Sequence, residues 1–194
     1  MDLKERVYSV LVVSAAEKLN TALSSFLNGS RYSPVRFVSN VSAAKRAWNE
    51  QPYDYIIINS PLPDDAGIRF AIDMSASKGT VVLLLVRAEL YEDVCTKVVE
   101  HGVFTLSKPL TGSIMLLALG WMQSARERLR KLEQKTLSVE EKMEEIRTVN
   151  RAKWLLISRL NMDEPQAHRY IEKQAMDRCV SKRVVAEEII RAYA

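Results

Sequence analysis

The sequence predicts an α/β fold class, with a doubly wound, five-stranded parallel sheet in the front part of the chain and helices behind it. Three observations lead to this prediction. Compact apolar runs without polar alternation recur along the front part, as in strands that are buried on both faces. Segments with apolar residues at helical spacing lie between these runs. From Trp121 to Glu164 the chain contains neither Gly nor Pro, the residues that most often interrupt helices.

Each apolar run has the length of one strand, and the five runs occupy residues 7–15, 35–39, 53–60, 80–86 and 103–107. The helices between and behind them are predicted at residues 15–27, 41–50, 68–76, 91–102 and from 111 onward. Strands and helices that alternate in this way form a parallel sheet covered on both faces, so we expect a flavodoxin-like fold. In such folds the functional crevice lies at the carboxyl ends of the strands.

The helix behind the sheet has apolar residues at alternating steps of three and four, which is the heptad spacing of a coiled coil. The seam predicted to join two chains consists of Met122, Leu129, Leu132, Val139, Met143 and Ile146. The alternative is one amphipathic helix that packs within its own monomer. Ser138-Val-Glu-Glu141 also fits a capping box, so a continuous rod and a break near residue 137 both stay open.

Two shorter helices follow, and each has a recognisable start. Asp163-Glu-Pro-Gln166 supplies an N-cap, an early proline and a Gln three residues later. Ser181 is a candidate cap for the last helix. The predicted parts of the chain are therefore a sheet domain at 1–122, a coiled-coil linker helix at 123–138 and a small all-α helical bundle at 139–194.

The composition narrows the class of protein. The net charge is +4, and nine basic against six acidic residues fall in 148–194, which suits a polyanionic partner.

No apolar run is long enough to span a membrane, and the first ten residues lack the features of a signal peptide. We therefore expect a cytoplasmic protein in which Cys95 and Cys179 are buried free thiols. The separated His101 and His168 indicate neither a metal site nor a catalytic triad.

The front part of the chain resembles a two-component receiver domain. The segments VLVVSAAE, YDYIIINSPLPDDAG, VVLLLVRAE and LSKPL fall in the order and spacing of that family, and the resemblance covers roughly residues 6–122. The family has an acidic pair, a phosphoacceptor Asp, a hydroxyl residue and a Lys. At these positions the acidic pair is replaced by Ser14 and Ala15. Asn59 stands for the acceptor, Val86 for the hydroxyl residue, and only Lys108 is retained.

These replacements remove the chemistry of phosphoryl transfer. A Mg²⁺ site needs carboxylate oxygens, and the residues at the acidic-pair and acceptor positions supply none. An amide is also no nucleophile for phosphoryl transfer. We therefore predict a pseudo-receiver without metal or cofactor, in which Lys108 hydrogen-bonds backbone carbonyls or Asn59. Asp64 and Asp65 are expected to be turn residues rather than metal ligands.

The C-terminal part resembles a second family, the ANTAR domain, which follows receivers in bacterial antitermination regulators. The matching features, in order, are Ala152-Lys153 before WLLI, an acidic helix start with Ala167, Tyr170 with Ala175-Met176, and Val185-Ala186 with Ile189-Ile190. The resemblance spans about residues 139–192. One departure is Trp154, where the family usually has a small residue, and this change could alter local packing.

The ANTAR resemblance implies binding of structured RNA, with the two modules of a dimer engaging paired stem-loops. Helical RNA-binding modules need basic side chains and groups that contact unpaired bases. The candidates for phosphate contacts are Arg151, Lys153, Lys173, Arg178, Lys182 and Arg183. Tyr170 is a candidate for base stacking and Gln174 for hydrogen bonds to a base. The alternative for Tyr170 is an aromatic residue that packs between helices.

We therefore expect a non-enzymatic RNA-binding regulator of transcription antitermination that acts on stem-loops in leader transcripts as a homodimer. One alternative is a DNA-binding response regulator, which needs a recognition helix with polar readers. The last helix is instead acidic and apolar. A phosphoryl-accepting relay is opposed by Asn59, and an adaptor that works only through protein contacts is the remaining alternative.

Overall fold

The computed structural model describes residues 6–193 and separates them into two compact units, the first ending at Glu133 and the second beginning at Gln134. Residues 1–5 and 194, where the predicted domains begin and end and where part of the signal-peptide prediction falls, lie outside the described residues. The predicted boundaries 1–122, 123–138 and 139–194 stay predictions. No described helix combines the length and the apolar character that crossing a bilayer would require.

The first unit is a five-stranded parallel sheet with the order β2-β1-β3-β4-β5, which confirms the predicted fold class. The strands are β1 Tyr8–Val13, β2 Tyr32–Val38, β3 Tyr55–Asn59, β4 Val81–Arg87 and β5 Phe104–Lys108. The helices between them are α1 Glu17–Leu27, α2 Val41–Glu50, α3 Ile68–Ser75 and α4 Tyr91–Val98. Short 3₁₀ turns at Ala88–Leu90 and Val99–His101 flank α4.

The sheet is buried on both faces because its side chains alternate between two apolar clusters. In β3, Ile56 and Ile58 belong to one cluster, and Tyr55 and Ile57 belong to the other. Each fully buried Ile contributes about 1.5–3 kcal/mol relative to an exposed one. This burial explains why the strands appear in the sequence as continuous apolar runs. Because the strands are parallel, the carboxyl ends of β1, β3 and β5 lie at the same edge of the sheet.

Helix α5 runs from Gly112 to Leu160, so the chain passes through Ser138 without a break. The capping-box motif at that position therefore does not begin a new helix. The predicted seam is wrong at its start, because Met122 is fully buried in the core of the first unit and Leu129 packs against the same cluster. The heptad spacing there reflects packing on the sheet. Later members of the seam are about half exposed: Leu132, Val139, Met143 and Ile146.

The second unit is built from the end of α5, from α6 Glu164–Asp177 and from α7 Lys182–Tyr193. Its core contains Ala152, Leu156, Ala167, Ile171, Ala175, Val185, Ala186 and Ile189. The predicted capping box begins α6: Asp163 Oδ1 accepts from the Gln166 amide at 2.7 Å, and Gln166 Oε1 accepts from the Asp163 amide at 3.0 Å. Ser181 Oγ accepts from the Val184 amide at 3.4 Å at the start of α7.

The two cysteines are free, as expected, but neither is buried, so that part of the prediction is wrong. Cys95 is partly exposed on α4, and Cys179 is exposed in the turn between α6 and α7. Cys179 has a left-handed backbone with φ 51°, a conformation found where a helix ends and the chain turns at the surface.

Candidate functional site

Two residues at altered receiver positions and the retained Lys108 meet at the carboxyl edge of the sheet. Ser14 directly follows β1, Asn59 ends β3, and Lys108 ends β5. Asn59 Nδ2 donates to Ser14 Oγ at 3.1 Å, and Lys108 Nζ donates to Asn59 Oδ1 at 2.8 Å. Ser14 and Asn59 are almost inaccessible to solvent, so these bonds satisfy polar groups that water does not readily reach.

Lys108 makes a second bond at this edge, to the main-chain oxygen of Ser60 at 2.5 Å. The expectation that Lys108 hydrogen-bonds Asn59 or a backbone carbonyl is confirmed, because it bonds both. Burial lowers the pKa of the Lys108 ammonium, and the nearby positive charge of Arg87 lowers it further. The two acceptors of the amine, Asn59 Oδ1 and the main-chain oxygen of Ser60, are neutral, and neither is a carboxylate.

The other two altered positions add no polar group to this edge. Val86 is fully buried in β4 and belongs to the apolar core, so it presents methyl groups where the family has a hydroxyl. Ala15 is exposed and has no side-chain oxygen. Among the five altered or retained positions, Lys108 carries the only charge, so these residues supply no carboxylate ligand for a divalent cation.

Asp64 and Asp65 hold the chain near this edge, as their prediction as turn residues requires. Asp64 accepts hydrogen bonds from the Val41 amide at 2.9 Å and from the Ser42 amide at 3.0 Å, so it caps α2. These bonds lower the pKa of the Asp64 carboxyl. Asp65 accepts from the Gly67 amide at 2.6 Å. Across residues 6–193, no group of three or more His, Cys, Asp or Glu side chains could hold a metal ion.

In the second unit, four of the six cations predicted to contact phosphate are paired with carboxylates of the same unit. Arg178 binds Glu188 through two bonds of 2.6 and 2.7 Å, and Arg183 binds Glu187 at 2.9 Å. The other two pairs are Lys182 with Glu172, and Lys153 with Glu164 at 2.8 Å. The Lys153 side chain is only 16% exposed, which makes it a poor candidate for a phosphate contact.

The outward face of α6 carries the remaining groups. Tyr170 is 40% exposed and is not among the core residues of the unit, so part of its ring can be reached from solvent. Arg169 and Lys173 lie beside it on α6, and both are exposed without a carboxylate partner among the residues that the structure describes. Met176, 77% exposed, extends the face by one turn. The predicted Gln174 is half-buried at its margin.

Arg169 was missed in the sequence because only its neighbour Tyr170 matched a family feature. The signal was present, since Arg169 precedes Lys173 by four residues and such residues share a helix face. On α5, Arg151 is exposed and unpaired within the described chain. Trp154 is 71% exposed, so it does not alter the packing of the unit.

Comparison with known proteins agrees with this division of the chain. Residues 138–190 match the ANTAR domain family. The transcriptional regulatory protein PdtaR of Mycobacterium tuberculosis is 29% identical over 138 residues, which cover 71% of this chain and 67% of that protein. The aliphatic amidase regulator of Pseudomonas aeruginosa is 33% identical over 117 residues, which cover 58% of this chain and 59% of that protein.

Solved structures support the fold of the first unit. The receiver domain of an HD domain-containing protein from Pseudomonas fluorescens Pf-5 superposes with a TM-score of 0.58 at 21% identity, covering 68% of this chain and 96% of that one. The receiver domain of the response regulator TorR gives a TM-score of 0.54 at 16% identity, covering 61% and 98%. The chain therefore consists of a receiver-fold domain followed by an ANTAR domain, the architecture that its sequence predicts.

Proposed function

We propose that this protein is a non-enzymatic regulator of transcription antitermination that binds structured RNA through its ANTAR domain. The observation that carries the proposal is the outward face of α6, where the exposed ring of Tyr170 lies beside the exposed side chains of Arg169 and Lys173. An aromatic ring offers a stacking surface to an unpaired base, and the two cations neutralise phosphates next to that base. A regulator that acts on transcripts in this way works in the cytoplasm.

The ion pairs within the module distinguish the cations that are available to bind phosphate from those that are already paired with a carboxylate. A Lys or Arg that already holds a carboxylate must give up part of that bond to bind phosphate. Arg169, Lys173 and Arg151 have no such bond among the described residues and so bind phosphate at lower cost. The bidentate pair of Arg178 with Glu188 instead ties the end of α6 to α7 and serves the fold of the module.

The receiver-fold domain works in this proposal without phosphorylation. The Lys108 amine is occupied by Asn59 and Ser60, and no carboxylate stands at the acceptor position. The domain then serves as a scaffold, or as a sensor of a signal other than phosphate. We also propose that the chain works as a homodimer, because two modules are needed to engage a pair of stem-loops.

The test compares three ligands for the full chain in filter binding: an RNA with two tandem stem-loops, the same RNA with scrambled loop sequences, and duplex DNA. The proposal expects the tightest binding for the paired stem-loops. Equal affinity for the two RNAs would remove loop recognition and favour the adaptor reading. Tighter binding to duplex DNA would favour the DNA-binding alternative.

A further inference from the structure

Trp154 on α5 is a large apolar side chain that the fold of the module leaves uncovered. It is 71% exposed, although the residues two positions before and after it, Ala152 and Leu156, are fully buried in the core. At about 100° per residue, Trp154 lies roughly 160° around the helix axis from each of them. The indole therefore points away from the core of its own unit, and burying it elsewhere would remove a large apolar area from water.

The surroundings of Trp154 are basic. From Ile146 to Met162 the chain contains no Asp or Glu, whereas this segment contains Arg147, Arg151 and Arg159, besides Lys153, whose charge is paired with Glu164. Arg151 precedes Trp154 by three residues, which places the two side chains next to each other on the helix surface. Arg151 is exposed and has no carboxylate partner in the described part of the chain. A polyanion fits this segment better than a neutral or basic partner does.

Arg147 extends this surface by one more turn. It precedes Trp154 by seven residues, close to two full turns, and so lies on the same side of the helix. Its guanidinium is 3.8 Å from Glu144, in a pair whose Arg side chain is 73% exposed. Such a long, solvated contact costs little to exchange for a phosphate.

We infer that Trp154 is a base-stacking residue, and that an unpaired nucleobase of the bound RNA lies on its indole while Arg151 and Arg147 contact the neighbouring phosphates. This inference rests on the proposed function and extends its RNA surface from α6 to α5. Every nucleobase has a π-face, so stacking on an exposed indole requires no particular base. A second copy in parallel alignment is a poorer occupant, because it would bring the same cations against each other, and the measurements below test a second copy directly.

The indole itself supplies the readout. The chain has three tryptophans, so Trp48→Phe with Trp121→Phe leaves Trp154 as the only indole emitter. The RNA probe has two tandem stem-loops with adenine-rich loops, and it is titrated at low salt, where phosphate contacts favour binding. We expect the Trp154 emission to be quenched, with the same midpoint that filter binding gives.

Substitution separates stacking from a general loss of binding. Trp154→Leu is expected to weaken RNA binding by roughly 5- to 150-fold, the range for one lost base–aromatic stack. Trp154→Phe, which retains a ring, should lose much less. Trp121→Leu is the matched control, since Trp121 is also an exposed indole on α5 but belongs to the first unit, and it should leave the affinity unchanged.

The outcomes distinguish this inference from the proposed function. RNA binding with unchanged emission, and with equal affinity for Trp154→Leu, overturns the stacking role and leaves the proposed function intact. Emission that changes with protein concentration in the absence of RNA, together with dissociation of Trp154→Leu into monomers, assigns the surface to a second copy and also overturns it. A folded protein that does not bind the RNA at low salt overturns both proposals.

Discussion

Lys108 shows how one retained residue can acquire a different partner when its neighbours change. Its amine lies 2.8 Å from Asn59 Oδ1, and Asn59 in turn donates to Ser14. The two oxygens that accept from Lys108, Asn59 Oδ1 and the main-chain oxygen of Ser60, are both neutral, so the ammonium charge is stabilised by dipoles and not by a carboxylate. The site is a closed hydrogen-bond network, which gives each member a structural role that can be tested.

The first prediction concerns phosphate uptake at this network. Incubation of the protein with a small-molecule phosphodonor and Mg²⁺ should give no mass increment, because an amide at Asn59 cannot form the acyl phosphate and no carboxylate pair binds the metal. Intact-mass spectrometry measures the outcome, with a phosphorylatable receiver treated in parallel as the positive control. A stable phosphoryl adduct that maps to residues 1–122 would contradict the prediction.

The second prediction concerns the stability that Lys108 confers. Lys108→Met removes the donor to Asn59 Oδ1 and to the Ser60 oxygen, and should lower the free energy of unfolding by about 1–3 kcal/mol. The lower end of this range is expected, since water can reach a half-buried position. Urea denaturation measures the change, and Lys45→Met on the exposed face of α2 is the control. Equal stability of the two variants would show that the network contributes nothing measurable.

At the scale of elements, the first part of α5 is attached to the sheet by ion pairs as well as by apolar contacts. Arg126 binds Asp54 at 2.7 Å and Glu133 at 3.4 Å, and its side chain is only 13% exposed. Asp54 also accepts bonds from the amide and the hydroxyl of Ser9 in β1. Tyr8 stacks on Tyr55 and donates to Glu127 at 2.9 Å. These contacts fix where the helix leaves the sheet.

The third prediction follows from this attachment. Arg126→Met should cost about 1.5–3 kcal/mol of unfolding free energy, because hydrogen bonds to charged groups are lost and Asp54 is left partly unsatisfied. Arg128→Met, two residues further along the same helix, is exposed and should change stability by less than about 0.5 kcal/mol. Chemical denaturation of both variants gives the comparison. A loss of unfolding free energy of similar size in the two variants would show that the ion pairs of Arg126 do not stabilise the first unit.

The fourth prediction concerns the part of α5 that is free to meet a second copy. Met143→Glu with Ile146→Glu places two charges on the exposed apolar stripe and should convert a dimer into monomers in light scattering. Gln134→Glu with Ser138→Glu adds the same charge away from that stripe and should leave the dimer intact. Leu129→Ala should instead lower the stability of the first unit by about 2 kcal/mol, because the partly buried Leu129 packs against its core. A wild type that is already monomeric would contradict the dimer.

At the scale of the whole molecule, the structure could be predicted from the sequence wherever a residue pattern is compatible with only one kind of element. The run YIIIN became a central strand because residues buried on both faces must be apolar throughout. The seam was ambiguous, since heptad spacing serves equally for packing on a sheet and for packing on another helix. Met122 is buried by the sheet, whereas Met143, which falls at the same position of the seven-residue repeat, is 50% exposed.

Charge pairing was the least predictable feature of the candidate site. Arg178 and Glu188 are ten residues apart and meet only because α6 and α7 pack together. Whether a cation is available to RNA is therefore decided by tertiary structure, whereas the residue type alone can be read from the sequence. This is why Arg169, absent from the sequence-based candidates, ranks above Arg178 once the pairs are known.

The salt dependence of RNA affinity tests most directly the claim that unpaired cations of the ANTAR domain hold RNA phosphates. The logarithm of the affinity for the tandem stem-loop RNA should fall linearly with the logarithm of the salt concentration. Arg169→Ala with Lys173→Ala should reduce the slope by roughly 1.4–1.8, at about 0.7–0.9 for each lost contact. The matched variant Arg178→Ala with Lys182→Ala, whose cations are already paired, should reduce it by less. A flat dependence for the wild type, or equal slopes for wild type and Arg169→Ala with Lys173→Ala, would contradict the account.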